Sequence, residues 1–277
     1  MTLIESLVLG VVQGATEFLP VSSSGHLVIV EALMKTQTPG VIYEVALHLG
    51  TLAAVLLLFR RDVRDIVVDW CAGMAEWGLR KRPWREVWAA RKDFRMGWYI
   101  VIGTFPAGIG GLTVHHRIEE LFKSPLITAA MLFITGEILW LTRSFSLARQ
   151  EGRMTVKDSL LVGLAQCVAL VPGISRSGST ISAGLMLGID RAEAARFSFL
   201  LSIPVILGAA VLESRKMNAL PDGQGLPLLA GVLAAAVTGY IALLFLMRVV
   251  KAAKLHWFAW YCWGMGVMAV SYFWATK

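Results

Sequence analysis

The sequence predicts an all-α integral membrane protein with six transmembrane helices plus two re-entrant helical hairpins in an inverted-topology repeat. Three observations carry this prediction. Of 277 residues, 56% are hydrophobic and 16% charged, with a mean hydropathy of +0.65; an ordinary soluble domain carries about 25% charged residues. Six stretches reach the roughly 20 mostly apolar residues needed to span a bilayer. Two more apolar regions are each interrupted by a polar Gly/Ser/Pro segment. A water-soluble globule of this size could not leave so much of its surface apolar.

Taken in order, residues 2–12 run apolar, break at a polar loop over 13–26 and resume over 27–34. A span follows at about 41–59. The 60–95 segment mixes arginines with Trp70, Trp77, Trp84 and Trp88, the composition of a helix lying along a membrane interface. Spans at about 96–115 and 125–142 close the first half. Residues 158–172 are apolar, break at Pro172-Gly173-Ile174-Ser175-Arg176-Ser177-Gly178-Ser179-Thr180 and resume over 181–189. Spans at about 196–213, 226–247 and 255–275 complete the chain. Each half of the two broken regions is too short to cross alone. Irregular polar backbone at membrane depth is tolerated only inside protein or beside a water-filled cavity, so both regions read as re-entrant hairpins.

Alternating the six spans puts 19 of the 26 Lys and Arg residues on one face, in the loops 60–95, 143–157, 190–196 and 248–254. By the positive-inside rule that face is cytoplasmic and both termini lie outside. The first hairpin then enters from the external side and the second from the cytoplasmic side. The net charge of +7 is thereby a topology signal, and nucleic acid is excluded as a partner. The N-terminus has no basic n-region, and Glu17 follows its short apolar run, unlike a cleavable signal peptide. Cys71, Cys167 and Cys262 show neither a disulfide framework nor zinc-ligand spacing.

A shift of 153 residues aligns the two broken regions without a gap. Ser6 falls on Ser159, Gly10 on Gly163, Gln13 on Gln166, Ser22 on Ser175, Ser24 on Ser177 and Gly25 on Gly178. The chain therefore reads as one membrane domain, 1–277, holding internal repeats at about 1–145 and 154–277. Each repeat has one hairpin and three spans, an odd number, so the second is inverted. Such repeats place their functional site near the membrane midplane, where broken helices meet.

The first loop reads Gln13-Gly14-Ala15-Thr16-Glu17-Phe18-Leu19-Pro20-Val21-Ser22-Ser23-Ser24-Gly25-His26. With the second it offers a carboxylate, an imidazole, a guanidinium, several hydroxyls and glycines close to helix starts. Helix-start N–H groups and Arg176 both suit phosphate oxygens. Ser23 or a water could attack phosphorus, with Glu17 or His26 taking the proton. Gln13 and Glu17, four residues apart, would share one helix face and could hold a divalent cation through oxygen. Ser22, Ser24, Ser175, Ser177 and Thr180 are expected to bind or cap, and Gly25 and Gly178 to let backbone approach phosphate closely. Glu44 and His48 could line the entrance to the site, an interfacial pair being the stronger reading; Glu137 reads as paired or snorkelling, and His115 and His116 as interface residues.

QGATEFLPVSSSGH and PGISRSGST resemble the two signature segments of the undecaprenyl pyrophosphate phosphatase (bacitracin-resistance) family, and the likeness covers nearly the whole chain, including FSFLLSIPVILGA. The resemblance implies the same fold and release of inorganic phosphate from undecaprenyl pyrophosphate, recycling the lipid that carries cell-wall precursors. It places the family's functional glutamate on Glu17, its serine on Ser23, its histidine on His26 and its arginine on Arg176. Gln13 departs from the family's more usual glutamate and weakens a two-carboxylate metal site, leaving Glu17 as the expected ligand of a magnesium or calcium ion. Polyprenyl pyrophosphate and membrane lipids are the implied partners. The bacterial plasma (inner) membrane is the implied location, with the site on the external, periplasmic side. The oligomeric state stays open, a homodimer included. A second class, a secondary transporter or lipid flippase, shares inverted repeats with broken helices but would release no phosphate.

Overall fold

The structure is a computed structural model that describes residues 1–36, 41–114, 120–121, 124–145, 154–214 and 223–276. Every regular element among them is a helix: α1 (Leu3–Phe18), α2 (Ser23–Met34), α3 (Val41–Leu58), α4 (Arg60–Gly78), α5 (Trp84–Ala90), α6 (Lys92–Thr113), α7 (Pro125–Leu141), α8 (Val156–Val168), α9 (Arg176–Met186), α10 (Arg191–Ser214), α11 (Gly225–Lys251) and α12 (Trp257–Ala275). Each of the six long apolar stretches folds as one helix: α3, α6, α7, α10, α11 and α12. By length and composition α10 and α11 suffice to cross a membrane, and α3 with α4 passes as a pair bent by 80°. His115 and His116 lie outside the described residues, as do Arg117, Lys123, Arg149, Arg153, Arg215, Lys216 and Lys277 of the charge comparison.

The distribution of side chains is the reverse of a soluble protein's. On α11 Leu226, Leu229, Leu233, Val237 and Ile241 form an exposed stripe at helical spacing, while Ser6, Gln13, Glu17, Thr51, Thr128 and Ser202 are buried. A continuous apolar stripe of this kind on a helix long and apolar enough to cross a membrane suits contact with lipid. The chain is a helical membrane protein.

Both interrupted regions are helix–break–helix, but the breaks are narrower than the polarity of the sequence suggests. The loop expected over 13–26 shrinks to Leu19–Ser22: Gln13 to Phe18 complete α1, and Ser23 already belongs to α2. Pro20 sets the first boundary, because the residue before a proline is pushed out of the α region; Leu19 has φ −60° and ψ 143°. A tight turn with Val21 N–H donating to Leu19 O at 2.7 Å then reverses the chain. In the second region the break covers residues 169–175, so Arg176, Ser177, Gly178 and Thr180 are helical. Helices restart at Ser22 and Ser175, whose hydroxyls accept from Gly25 N–H and Gly178 N–H, the N-cap arrangement that serine favours.

Matching contacts recur at positions 153 apart. Thr2 and Thr155 each close a capping box, with Glu5 and Asp158. Ser6 Oγ donates to Pro227 O, and Ser159 Oγ donates to Tyr99 O at 2.5 Å. A Cβ on Gly10 would meet Gly231 O at 2.3 Å, and one on Gly163 would meet Gly103 O at 2.4 Å. Only glycine allows backbones this close. In consequence α1 packs chiefly on α11 and α8 on α6, while α7 packs on α12.

At the basic end, α4 turns away from α3 at Phe59 and is held by ion pairs. Arg91 pairs with Asp69 and, at 2.6 Å, with Glu76. Arg196 on α10 reaches Asp62 at 2.6 Å. Gly73 and Gly97 admit Phe94 and Trp70 against the opposing helix, and Trp84 centres an aromatic cluster with Trp77, Trp88, Phe94 and Trp98.

Candidate active site

The two breaks meet. Ser24 Oγ accepts from Gly173 N–H at 3.4 Å, and Ser177 Oγ donates to Leu19 O at 3.2 Å, so each restart serine holds the other hairpin's loop. Thr135 on α7 pins the second loop from behind: its hydroxyl donates to Gly173 O at 2.8 Å and accepts from Ser175 N–H at 3.0 Å. Gly173 has φ +91°, a conformation open to glycine and strained for other residues. Ser22 adopts φ 68° without being glycine, a sparsely populated conformation that persists only where the surroundings over-determine it.

Glu17, near the end of α1, is the hub. One carboxylate oxygen pairs with the Arg176 guanidinium at the first turn of α9. The other accepts from Ser23 Oγ at 2.6 Å and from Gln13 Nε2 at 3.1 Å, and lies 3.6 Å from His48 Nε2. Glu17 is 92% buried by side-chain and backbone area together (8% exposed). An ionised carboxylate so placed persists only with charge partners and hydrogen bonds. A serine hydroxyl aimed at a carboxylate is also the arrangement of a nucleophile beside its base.

Two buried atoms in this cluster have no hydrogen-bond partner among the described residues, Arg176 Nη1 and Gln13 Oε1. The guanidinium thus keeps a donor for an anion, and the amide keeps an oxygen for a cation or a donor. Starts of α2 and α9 add N–H groups with no intrahelical partner and the positive ends of two helix dipoles. As a cation site the donors are one carboxylate, one amide oxygen and a hydroxyl. That hard-oxygen set fits magnesium or calcium that completes its shell with water and phosphate. Among the described residues no group of three or more His, Cys, Asp or Glu exists to form a closed cage.

Not every expected residue joins the cluster. His26 stands apart: Nδ1 donates to Ser22 O at 2.8 Å, and Nε2 lies 2.8 Å from the Tyr261 hydroxyl, against which the ring stacks. Thr180 bonds Arg176 O and Ser198 Oγ, tying α9 to α10. Ser22 and Ser175 cap, as described above. Gly25 and Gly178 lie where the hairpins face one another: a Cβ on Gly25 would meet Leu132 Cδ2 at 3.3 Å and Gly173 Cα at 3.6 Å, and one on Gly178 would meet Ser175 at 3.1 Å and Pro20 Cβ at 3.4 Å. His48, read from sequence as half of an interfacial pair with Glu44, instead approaches Glu17. Its tie to Glu44 is Nδ1 to the backbone O, 2.8 Å. The Glu44-x-x-x-His48 spacing was the visible signal; the weaker of its two readings, lining the entrance, fits His48, and nothing local distinguishes a cleft from an interface. Thr135 and Tyr261 gave no signal, being single polar residues in apolar helices.

The fold and this cluster define a helical membrane protein whose polar centre is assembled by two broken helices. The family model for the bacitracin resistance protein BacA matches residues 6–268, and the chain belongs to that family. It is 45% identical over 267 residues to an undecaprenyl-diphosphatase from Desulfatibacillum aliphaticivorans, covering 95% of this chain and 96% of the relative. Relatives of the same name from Trichlorobacter lovleyi and Methanobrevibacter smithii are 43% and 37% identical, covering 98% and 97% of this chain and 97% and 96% of theirs.

Proposed function

We propose that this protein hydrolyses undecaprenyl pyrophosphate to undecaprenyl phosphate and inorganic phosphate. The carrying observation is that Glu17 of one broken helix pair and Arg176 of the other share an ion pair, with Ser23 Oγ on the same carboxylate. The likeness to undecaprenyl-diphosphatases supports the same reaction.

In the mechanism, Arg176 and the N–H groups at the starts of α2 and α9 receive the diphosphate oxygens. Ser23 Oγ, losing its proton to Glu17, bonds the terminal phosphorus as the bond to the bridging oxygen breaks. Undecaprenyl phosphate leaves with the bridging oxygen. The proton on Glu17 passes to the departing undecaprenyl phosphate and frees the carboxylate. Water then attacks the phosphoserine as Glu17 takes its proton, which is handed to Ser23 Oγ as the bond to phosphorus breaks and phosphate departs. Catalysis of this kind is mostly positioning and stabilisation of charge on oxygen. Glu17 with Gln13 Oε1 would hold a magnesium or calcium ion, which when bound supplies further positive charge to the phosphate oxygens. His26, with both ring nitrogens engaged, orients α2 through Ser22 and Tyr261.

The fold reading extends to six spans and two re-entrant hairpins, with repeats at about 1–145 and 154–277. The paired capping boxes, Ser6/Ser159 bonds and Gly10/Gly163 contacts support it. The concentration of Lys and Arg supports a bacterial inner-membrane protein with both termini outside and the site opening externally. The transporter reading is less economical: it leaves the Ser23–Glu17 bond without a use. Phosphate release by purified protein in detergent, wild type against Arg176→Ala and with and without chelator, tests the proposal. No phosphate from wild type with added magnesium would end it.

A further inference from the structure

A cavity lies at the basic end of the molecule, built from α5, α6 and the first residue of α8, none of which contributes to the Glu17 cluster. Trp84, Arg85, Trp88, Trp98, Ile102 and Val156 line it, and its volume is about 470 Å³, within the roughly 300–1,000 Å³ of small-molecule sites. The walls are graded. Trp84 and Trp88 stand 5.8 Å apart at the rim, and Trp98 lies 5.6 Å from Trp84. Ile102 follows one turn further along α6, towards the apolar stretch of that helix. Indoles occupy the level of lipid headgroups in membrane proteins, so the cavity runs from headgroup level to acyl-chain depth.

Its rim is cationic and has donors to spare. Arg85 is exposed, and no ion pair engages it among the described residues. Arg80, Lys81 and Arg82 precede it and Lys157 adjoins Val156, all exposed. Of the neighbouring acids, Asp69 is paired with Arg91, Glu76 with Arg91 and Arg82, and Asp158 is held by the cap of α8, while Glu86 is exposed beside Arg85. The Trp98 indole N–H is buried with no hydrogen-bond partner among the described residues, so it can donate to a ligand oxygen.

From these features we infer that the cavity binds one anionic diacyl phospholipid. Arg85 takes the headgroup phosphate, the Trp98 N–H meets a phosphate or ester oxygen, and one acyl chain lies between the indoles against Ile102 and Val156. A free anion would leave the indole walls unused, and a neutral lipid would leave Arg85 and the cationic rim unused. Anionic lipid satisfies both, since basic pockets between membrane helices recruit such headgroups.

Native mass spectrometry of the whole detergent-purified protein tests this, using phosphatidylglycerol and phosphatidylcholine with identical chains. Wild type should retain one phosphatidylglycerol at least fivefold more tightly than phosphatidylcholine. Arg85→Gln, a change of an exposed side chain, should weaken phosphatidylglycerol about fivefold, the factor for one cation near an anionic lipid. Ile102→Trp, filling the inner end, should weaken both lipids together. Equal binding of the two lipids, or variants that bind like wild type, would overturn the assignment. So would displacement of phosphatidylglycerol by equimolar undecaprenyl phosphate, which would give the cavity to the polyprenyl chain.

Discussion

Glu17 and Arg176 lie 159 positions apart in sequence and form one buried ion pair, each on a helix that borders a break. The pair is a lock between hairpins as well as a feature of the site. Removing one partner leaves the other charge buried and uncompensated, which costs about 3–5 kcal/mol. Arg176→Ala should therefore abolish phosphate release and lower the melting temperature in detergent. The double variant Glu17→Gln with Arg176→Ala should melt above Arg176→Ala alone, because no orphan charge remains. If the double variant melts lower still, the pair is not the coupling between the hairpins.

Ser23 tests the nucleophile. Ser23→Ala should reduce kcat by a factor of about 10² or more, as for loss of a covalent catalyst whose surroundings persist. Acid-quenched wild type should carry phosphate on Ser23. Near-normal turnover in Ser23→Ala would assign the attack to water.

His48 lies 3.6 Å from Glu17 and is partly open to solvent. Replacement by Ala should lower kcat several-fold while leaving the fold intact, a smaller effect than at Arg176 because an exposed partner is screened. Unchanged kinetics would mean that Arg176 alone governs the charge of Glu17.

Gly10 and Gly163 give a structural test of the paired architecture. Alanine at either site drives Cβ to within 2.3 or 2.4 Å of a backbone carbonyl oxygen. Both should destabilise the purified protein by about 1–3 kcal/mol, the usual cost of overpacking. Gly264→Ala, where nothing lies within 4 Å, is the control and should melt like wild type.

Chelation separates chemistry from folding. With one carboxylate and no closed cage among the described residues, a divalent cation cannot hold the fold together. Chelator should slow phosphate release, reversibly with magnesium, while leaving the melting temperature unchanged. A fall in melting temperature would mean that a tighter metal site exists elsewhere.

Apolar length and small-residue spacing are local properties, and they made most of the architecture readable. The six long stretches became six helices, and the gapless 153-residue match anticipated Ser6, Gly10, Ser22 and Gly25 against their counterparts. Break positions were less legible, because polarity alone cannot tell a loop from a polar helix face. Gln13 to Glu17 stayed helical since their side chains find partners within the protein, and Pro20 rather than Gly14 stopped α1. Glu17, Ser23 and Arg176 were legible through motif chemistry. His26 was legible as polar, yet its engagement by Ser22 and Tyr261 was not.

What the sequence determined alone was the set of helices, their apolar character and the two polar interruptions, since each follows from residues adjacent in the chain. Tertiary structure decided which polar residues meet: Arg176 on Glu17, His48 drawn to the same carboxylate, Thr135 behind the second loop, and His26 on Ser22 and Tyr261. Buried charges and donors must find partners wherever packing brings them, and packing here is set by glycine contacts between residues 60 or more positions apart. No local pattern encodes that choice.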